Sequence, residues 1–67
     1  MTPDTLRSTL ATLDLSQQHA ARLLGVDPRT MRRWLHGSRA MPETARRLLL
    51  ALGDLPDLRP WLERQRT

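Results

Sequence analysis

The sequence contains no cysteine, so neither a disulfide framework nor thiol chemistry is open to it. Lysine is missing too, and every basic residue is arginine. Arginine is the better reader of phosphates and base edges, but the same bias follows from a GC-rich coding sequence and identifies nothing by itself. No apolar run approaches the roughly 18 residues of a membrane span, and no apolar leader opens the chain. The expectation is a soluble, cytoplasmic protein. Catalytic constellations are also lacking. His19 and His36 have no cysteine or carboxylate cluster beside them, which argues against a metal site. The acids fall singly at caps and turns, and no glycine-rich phosphate loop follows a strand. These absences predict no enzyme, no metal, no cofactor and no small-molecule substrate. What remains is a 67-residue chain with a net charge of +4 and a pI of about 11.6. That length holds one domain, residues 1–67, and a domain so small is marginal without metal, disulfide or partner subunit. A basic excess on a small fold favours polyanionic partners, nucleic acid or an anionic membrane surface.

The informative stretch runs from Leu15 to Gly37. Ala20, Ala21, Leu23 and Leu24 give one short helix an apolar stripe, and Met31, Trp34 and Leu35 give a second helix another. Gly25 between them supplies the left-handed conformation of a sharp turn, and Val26 can plug the gap. Asp27 suits the N-cap of the second helix and Pro28 its first position. Ala21, four residues before Gly25, is small enough for a close crossing. The pattern predicts a helix-turn-helix. With Met31, Trp34 and Leu35 turned inward, Pro28, Arg29, Arg32, Arg33 and His36 remain outside. Such a face suits a helix lying in a DNA major groove, where arginine's fork grips guanine O6 and N7 together. The competing reading is a solvated basic face on an ordinary helical domain. The glycine turn, cap and short loops favour DNA.

Gln17, Ala21, Gly25, Val26, Thr30, Met31, Trp34 and Gly37 fall where the lambda-repressor/Cro-like (xenobiotic response element) helix-turn-helix family places its motif, and Pro42 falls where that family often starts a fourth helix. The chain resembles this family over about residues 4 to 53. The resemblance implies an all-α fold, a compact bundle of four to five short helices whose third helix reads double-stranded DNA, usually as a homodimer on a palindromic site. Carried over by position, it implies base contacts from Pro28, Arg29, Arg32 and Arg33. Gln17 looks like a phosphate or base-edge contact, and Thr30 and His36 like backbone contacts beside the reading face. The small size and arginine-rich third helix are also similar, more weakly, to phage regulators encoded beside anti-CRISPR genes. Proline at position 28 departs from relatives that carry a polar base reader there. It leaves apolar contact at that position and shifts direct readout onto the arginines.

Thr2, Pro3 and Asp4 open a first helix with a cap, a first-turn proline and an acid near the positive dipole end. Leu6, Leu10 and Leu13 form its core face, Arg7 is expected to be solvated, and Leu13-Asp14-Leu15 connects onward. Ser16 caps the second helix, and helix N-termini present N–H groups to anions, so Ser16 and Gln17 are candidate phosphate contacts. His19 and Arg22 point outward with no assigned chemistry. Gly37 ends the third helix as a left-handed cap. Ser38 and Arg39, in the loop that follows, are candidates for positioning on the phosphate backbone. Pro42-Glu43-Thr44 starts a fourth helix, and Leu48 to Leu52 make it apolar around much of its circumference, predicting the central helix of the bundle. Arg46 and Arg47 are expected on its solvated side. Gly53 is expected to stop it. Residues 54–67 then form a short terminal segment in which Asp57 caps a helix from Leu58 to about Arg64, with Pro60 tolerated in its first turn, before a fraying tail. Leu55, Leu58, Trp61 and Leu62 either close the core of a monomer or form a dimer seam with Trp61 as anchor. The dimer role is favoured, because pairing adds both stability and a second half-site.

Three functions follow. The first is a sequence-specific DNA-binding regulator, chiefly a repressor near its own promoter, bound as a dimer to an inverted repeat. The second is a DNA-binding antitoxin whose leucine-rich terminal segment also holds a toxin. The third is a protein-interaction module, such as a phage inhibitor, whose arginines face an acidic partner rather than DNA.

Overall fold

A computed structural model describes residues 1–65, so Arg66 and Thr67, the end of the expected tail, lie outside the described residues. Five helices follow in order: α1 (Pro3–Thr12), α2 (Gln17–Leu24), α3 (Pro28–His36), α4 (Glu43–Asp54) and α5 (Leu58–Glu63). No strand occurs among the described residues. The all-helical architecture is therefore as expected from the sequence.

The first three helices are closed by the same local chemistry at both ends. At the N-termini, Thr2 Oγ1 accepts from the Thr5 N–H at 3.1 Å, Ser16 Oγ from the His19 N–H at 3.1 Å, and Asp27 Oδ1 from the Arg29 N–H at 2.7 Å. Each cap satisfies a backbone donor that the helix leaves unpaired. At the C-termini, Asp14 (φ +55°), Gly25 (φ +73°) and Gly37 (φ +79°) are left-handed. The chain reverses there, and the next N–H reaches five residues back: Leu15 to Leu10 O at 2.9 Å, Val26 to Ala21 O at 2.9 Å, and Ser38 to Arg33 O at 3.0 Å. These are Schellman closures. Two carry the expected glycine; the third carries Asp14, an acid that tolerates this region better than most side chains.

The closures bend α1, α2 and α3 over one core. Leu6 and Leu10 from α1, Leu15 from the connector, Ala20, Ala21 and Leu23 from α2, and Met31, Trp34 and Leu35 from α3 are buried together with Leu49 and Leu52 of α4. Ala20 and Ala21 are fully buried, and their small side chains let α2 and α3 approach closely. This pair is the most extensively packed in the molecule, and α1 packs against α3 as well. Leu13 lies partly buried at the edge of the core.

Four expectations are revised. The fourth helix is not central. Five apolar residues in a row wind around all its sides, but only the side carrying Leu49 and Leu52 meets the core, and Leu50 stays 40% exposed. Gly53 does not stop α4, which continues through Asp54 and ends at the extended Leu55. A Cβ at Gly53 would come within 3.1 Å of the Leu13 side chain, so the glycine serves the close approach of the two segments. Asp57 makes no side-chain cap, because its backbone is already helical (φ −80°, ψ −11°) and cannot swing the carboxylate back over the first turn. The Leu58 N–H is instead taken by Leu55 O at 3.0 Å. Arg7 is not merely solvated: its Nη2 donates to Leu35 O at 2.7 Å. That contact places a cation on an otherwise orphaned carbonyl at the negative end of α3.

The left-handed turns make a stability test. A side-chain-bearing residue in that region costs roughly 1–2 kcal/mol, partly offset for glycine by its freedom in the unfolded chain. Asp14→Gly is expected to stabilise the protein by up to about 1 kcal/mol, and Gly25→Ala to destabilise it by about 1 kcal/mol or more. Urea unfolding followed by circular dichroism measures both, and equal stability for all three proteins would refute the account of the turns.

Candidate nucleic-acid interface

Helix α3 presents the two sides that its sequence predicts. Met31, Trp34 and Leu35 are buried. With about 3.6 residues per turn, Arg29, Arg33 and His36 stand opposite that stripe, Pro28 and Arg32 flank one side of it, and Thr30 sits at the other edge. Pro28, Arg29, Arg32, Arg33 and His36 are exposed and Thr30 is half-buried. The structure thus brings the expected base-facing residues onto one surface and sets Thr30 at its margin. Among the described residues, no carboxylate pairs with the side chains of Arg29, Arg32, Arg33 or Arg39.

The neighbouring candidates fall beside this surface in the chain. Ser16 and Gln17 are exposed at the start of α2, where Ser16 already accepts the His19 N–H. Its hydroxyl proton remains available to donate. The Ser38 hydroxyl is engaged differently, donating to Arg33 O at 3.3 Å, so part of its role is to close α3. Arg39 is exposed in the loop beyond, its N–H also directed at Arg33 O, at 3.3 Å.

The charge is distributed unevenly. Between Ser16 and Met41 lie five arginines (Arg22, Arg29, Arg32, Arg33, Arg39) and one acid, Asp27, which is occupied as the α3 cap. The rest of the chain has six arginines and six acids. The entire net charge of +4 therefore belongs to the α2–α3 unit and its following loop. Elsewhere, several of the cations meet acids. Arg46 and Arg47 both bond Glu43 one turn away. The hydrogen bond from Arg46, with its charge and a second bond from Arg47, lowers the Glu43 carboxyl to about 2. Arg7 faces Asp4 at 3.4 Å. This segregation is visible in the sequence once charges are summed by segment rather than over the whole chain.

One residue given no role acquires one. His19 Nε2 lies 2.7 Å from Glu63 Oε1, and Arg59 Nη2 lies 3.3 Å from His19 Nδ1. A guanidinium can only donate, so Nδ1 accepts and Nε2 carries the proton that goes to Glu63. The imidazole thereby clamps α5 onto α2. No local signal marks the pairing, because 40 and 44 residues separate the partners.

The terminal apolar residues divide. Leu58 and Leu62 turn toward the core and pack against it, whereas Leu55 and Trp61 remain 56% and 50% exposed. No residue of α5 is fully buried. The helix is therefore held by two leucines and the His19 clamp. No helix among the described residues is long and apolar enough to cross a membrane. Comparison of the chain with protein-family models, with curated proteins and with solved structures gives no match in any of the three.

Loss of the clamp should be felt in α5 first. His19→Ala is expected to speed hydrogen exchange at the Trp61 and Arg64 amides by about tenfold or less, a loss near 1 kcal/mol, while the Met31 and Trp34 amides keep their rates. Uniform acceleration across α3 and α5 would show that α5 opens only with the whole domain.

Proposed function

We propose that this protein is a sequence-specific double-stranded DNA-binding regulator of the lambda-repressor/Cro-like kind. In this reading α2, the Gly25 turn and α3 are its helix-turn-helix, and α3 lies in the major groove. The observation that carries the reading is the placement of charge: the whole net charge lies on the α2–α3 unit and its loop, and α3 presents along one exposed face arginines that pair with no carboxylate among the described residues. A helix about 10–12 Å across fits a major groove about 12 Å wide. Pro28, Arg29, Arg32 and Arg33 face the bases. Ser16, Gln17, Thr30, His36, Ser38 and Arg39 set the domain on the phosphates, which fixes orientation without carrying sequence information.

The regulator acts as a homodimer on an inverted repeat near its own promoter, repressing transcription there. Two exposed large apolar side chains on one short segment, Leu55 and Trp61, support α5 as the seam. Two-fold pairing brings two copies of α3 to half-sites about 34 Å apart.

Fluorescence anisotropy with the duplex just upstream of the gene, against a shuffled duplex at two salt concentrations, tests the reading. Tighter binding to the native duplex, weakening steeply with salt, is the expected result. Feeble binding that ignores sequence would favour an acidic protein surface as the partner of the same arginines. Arg39→Ala should weaken binding to every duplex and make the salt slope shallower by about one; an unchanged slope would remove Arg39 from the interface. In sedimentation, Trp61→Ala is expected to shift the protein from dimer to monomer, and an unaltered dimer would place the seam elsewhere.

A further inference from the structure

The reading face of α3 has an unusually one-sided hydrogen-bonding inventory. Arg29, Arg32 and Arg33 offer only donors. Pro28 offers no polar side-chain atom, and Thr30 is half-buried at the margin. His36 contributes the one ring nitrogen able to accept. No asparagine, glutamine, aspartate or glutamate lies anywhere on this helix. Those absent types are the ones that pair with adenine N6 and N7 or accept from cytosine N4.

Resting on the DNA-binding reading above, we infer that α3 selects guanine: its half-site holds at least two guanines, on either strand, within about three successive base pairs. The reason is complementarity of donors and acceptors. Guanine alone presents two adjacent acceptors, O6 and N7, in the major groove; adenine sets its N6 amino group beside N7, and thymine offers a single O4 next to a methyl. A guanidinium over adenine meets a donor with a donor, and the desolvated group left unpaired is costly. Arg29 and Arg33 stand in the middle of the exposed side, one turn apart. Four residues of helix rise about 6 Å, which spans about two base-pair steps of about 3.4 Å each. The two forks can therefore reach guanines in neighbouring or next-but-one base pairs. Asp27, the nearest acid in the chain, is held by the Arg29 N–H at 2.7 Å, and among the described residues it forms no ion pair with an arginine side chain. Both guanidiniums are free to meet bases. Pro28 adds apolar contact suited to a thymine methyl, so a thymine beside the guanines is compatible with the site, whereas a half-site of A·T pairs alone is not.

The test is selection from a random duplex library with the full-length protein, followed by anisotropy on the enriched site. Each guanine in turn is replaced by 7-deazaguanine, which keeps Watson–Crick pairing but removes the N7 acceptor. The expected motif has two or more guanines within three base pairs, and each critical replacement weakens binding about tenfold. Arg29→Ala and Arg33→Ala should each erase preference at one of those positions and spare the other. Arg29→Lys keeps donors that guanine can accept but loses the planar fork, so the guanine preference at that position should fall between those of arginine and alanine. A motif of A·T pairs alone, or full binding to the 7-deaza duplexes, would overturn guanine selection and leave sequence-specific DNA binding standing. Enrichment of no motif at all would instead overturn the DNA-binding reading itself.

Discussion

The burial of one side of α3 is the constraint on which the rest of the structure depends. Met31, Trp34 and Leu35 are buried in the core that α3 shares with α1 and α2, and removing side chains of this size from water contributes about 1.5–3 kcal/mol each. Because the three positions share a helical stripe, their burial dictates the rotation of α3 about its own axis. Once that rotation is set, Arg29, Arg33 and His36 have nowhere to point but outward. The arrangement of cations on the surface is therefore a consequence of hydrophobic packing. Fully buried alanines on α2 and the left-handed Gly25 allow the two helices to sit close enough for this to hold.

Elsewhere the chain disposes of its charges locally. Glu43 gathers Arg46 and Arg47 within one helical turn, Asp4 faces Arg7, and Arg7 also reaches across to the end of α3. These exposed pairs add little to stability, but they leave the α2–α3 unit as the holder of the net charge. A field so localised steers a polyanion toward one side of a small domain. It also makes the choice between DNA and an acidic protein partner a question of sequence preference, since both would be drawn to the same arginines.

The helical caps were legible because they depend on contacts two to five residues apart. Thr2, Ser16, Asp27, Gly25 and Gly37 all perform the local tasks their side chains suggest. Asp14 was harder to read, since aspartate in a left-handed turn is chemically tolerated rather than advertised. Local reasoning failed where rotation or distance decided the outcome. The leucine run of α4 could not reveal which of its sides meets the core. Gly53 carries the composition of a helix stop, yet its role comes from Leu13, which packs over it from far along the chain. His19 looked idle because its partners, Arg59 and Glu63, lie on the last helix.

The sequence by itself determined the helical makeup, the ends of the first three helices and the inward and outward faces of α3, because each is written in periodicity and short-range hydrogen bonding. It also determined the excess of hydrogen-bond donors on the exposed side of α3, which is a matter of residue type. Tertiary structure decided the subordinate place of α4, the capping of α3 by Arg7, the clamp on α5, and the division of the terminal residues into Leu58 and Leu62 on the core and Leu55 and Trp61 in solvent. All of these depend on which distant segments come together, and the free energy that brings them together belongs to the packed core rather than to any one stretch of chain.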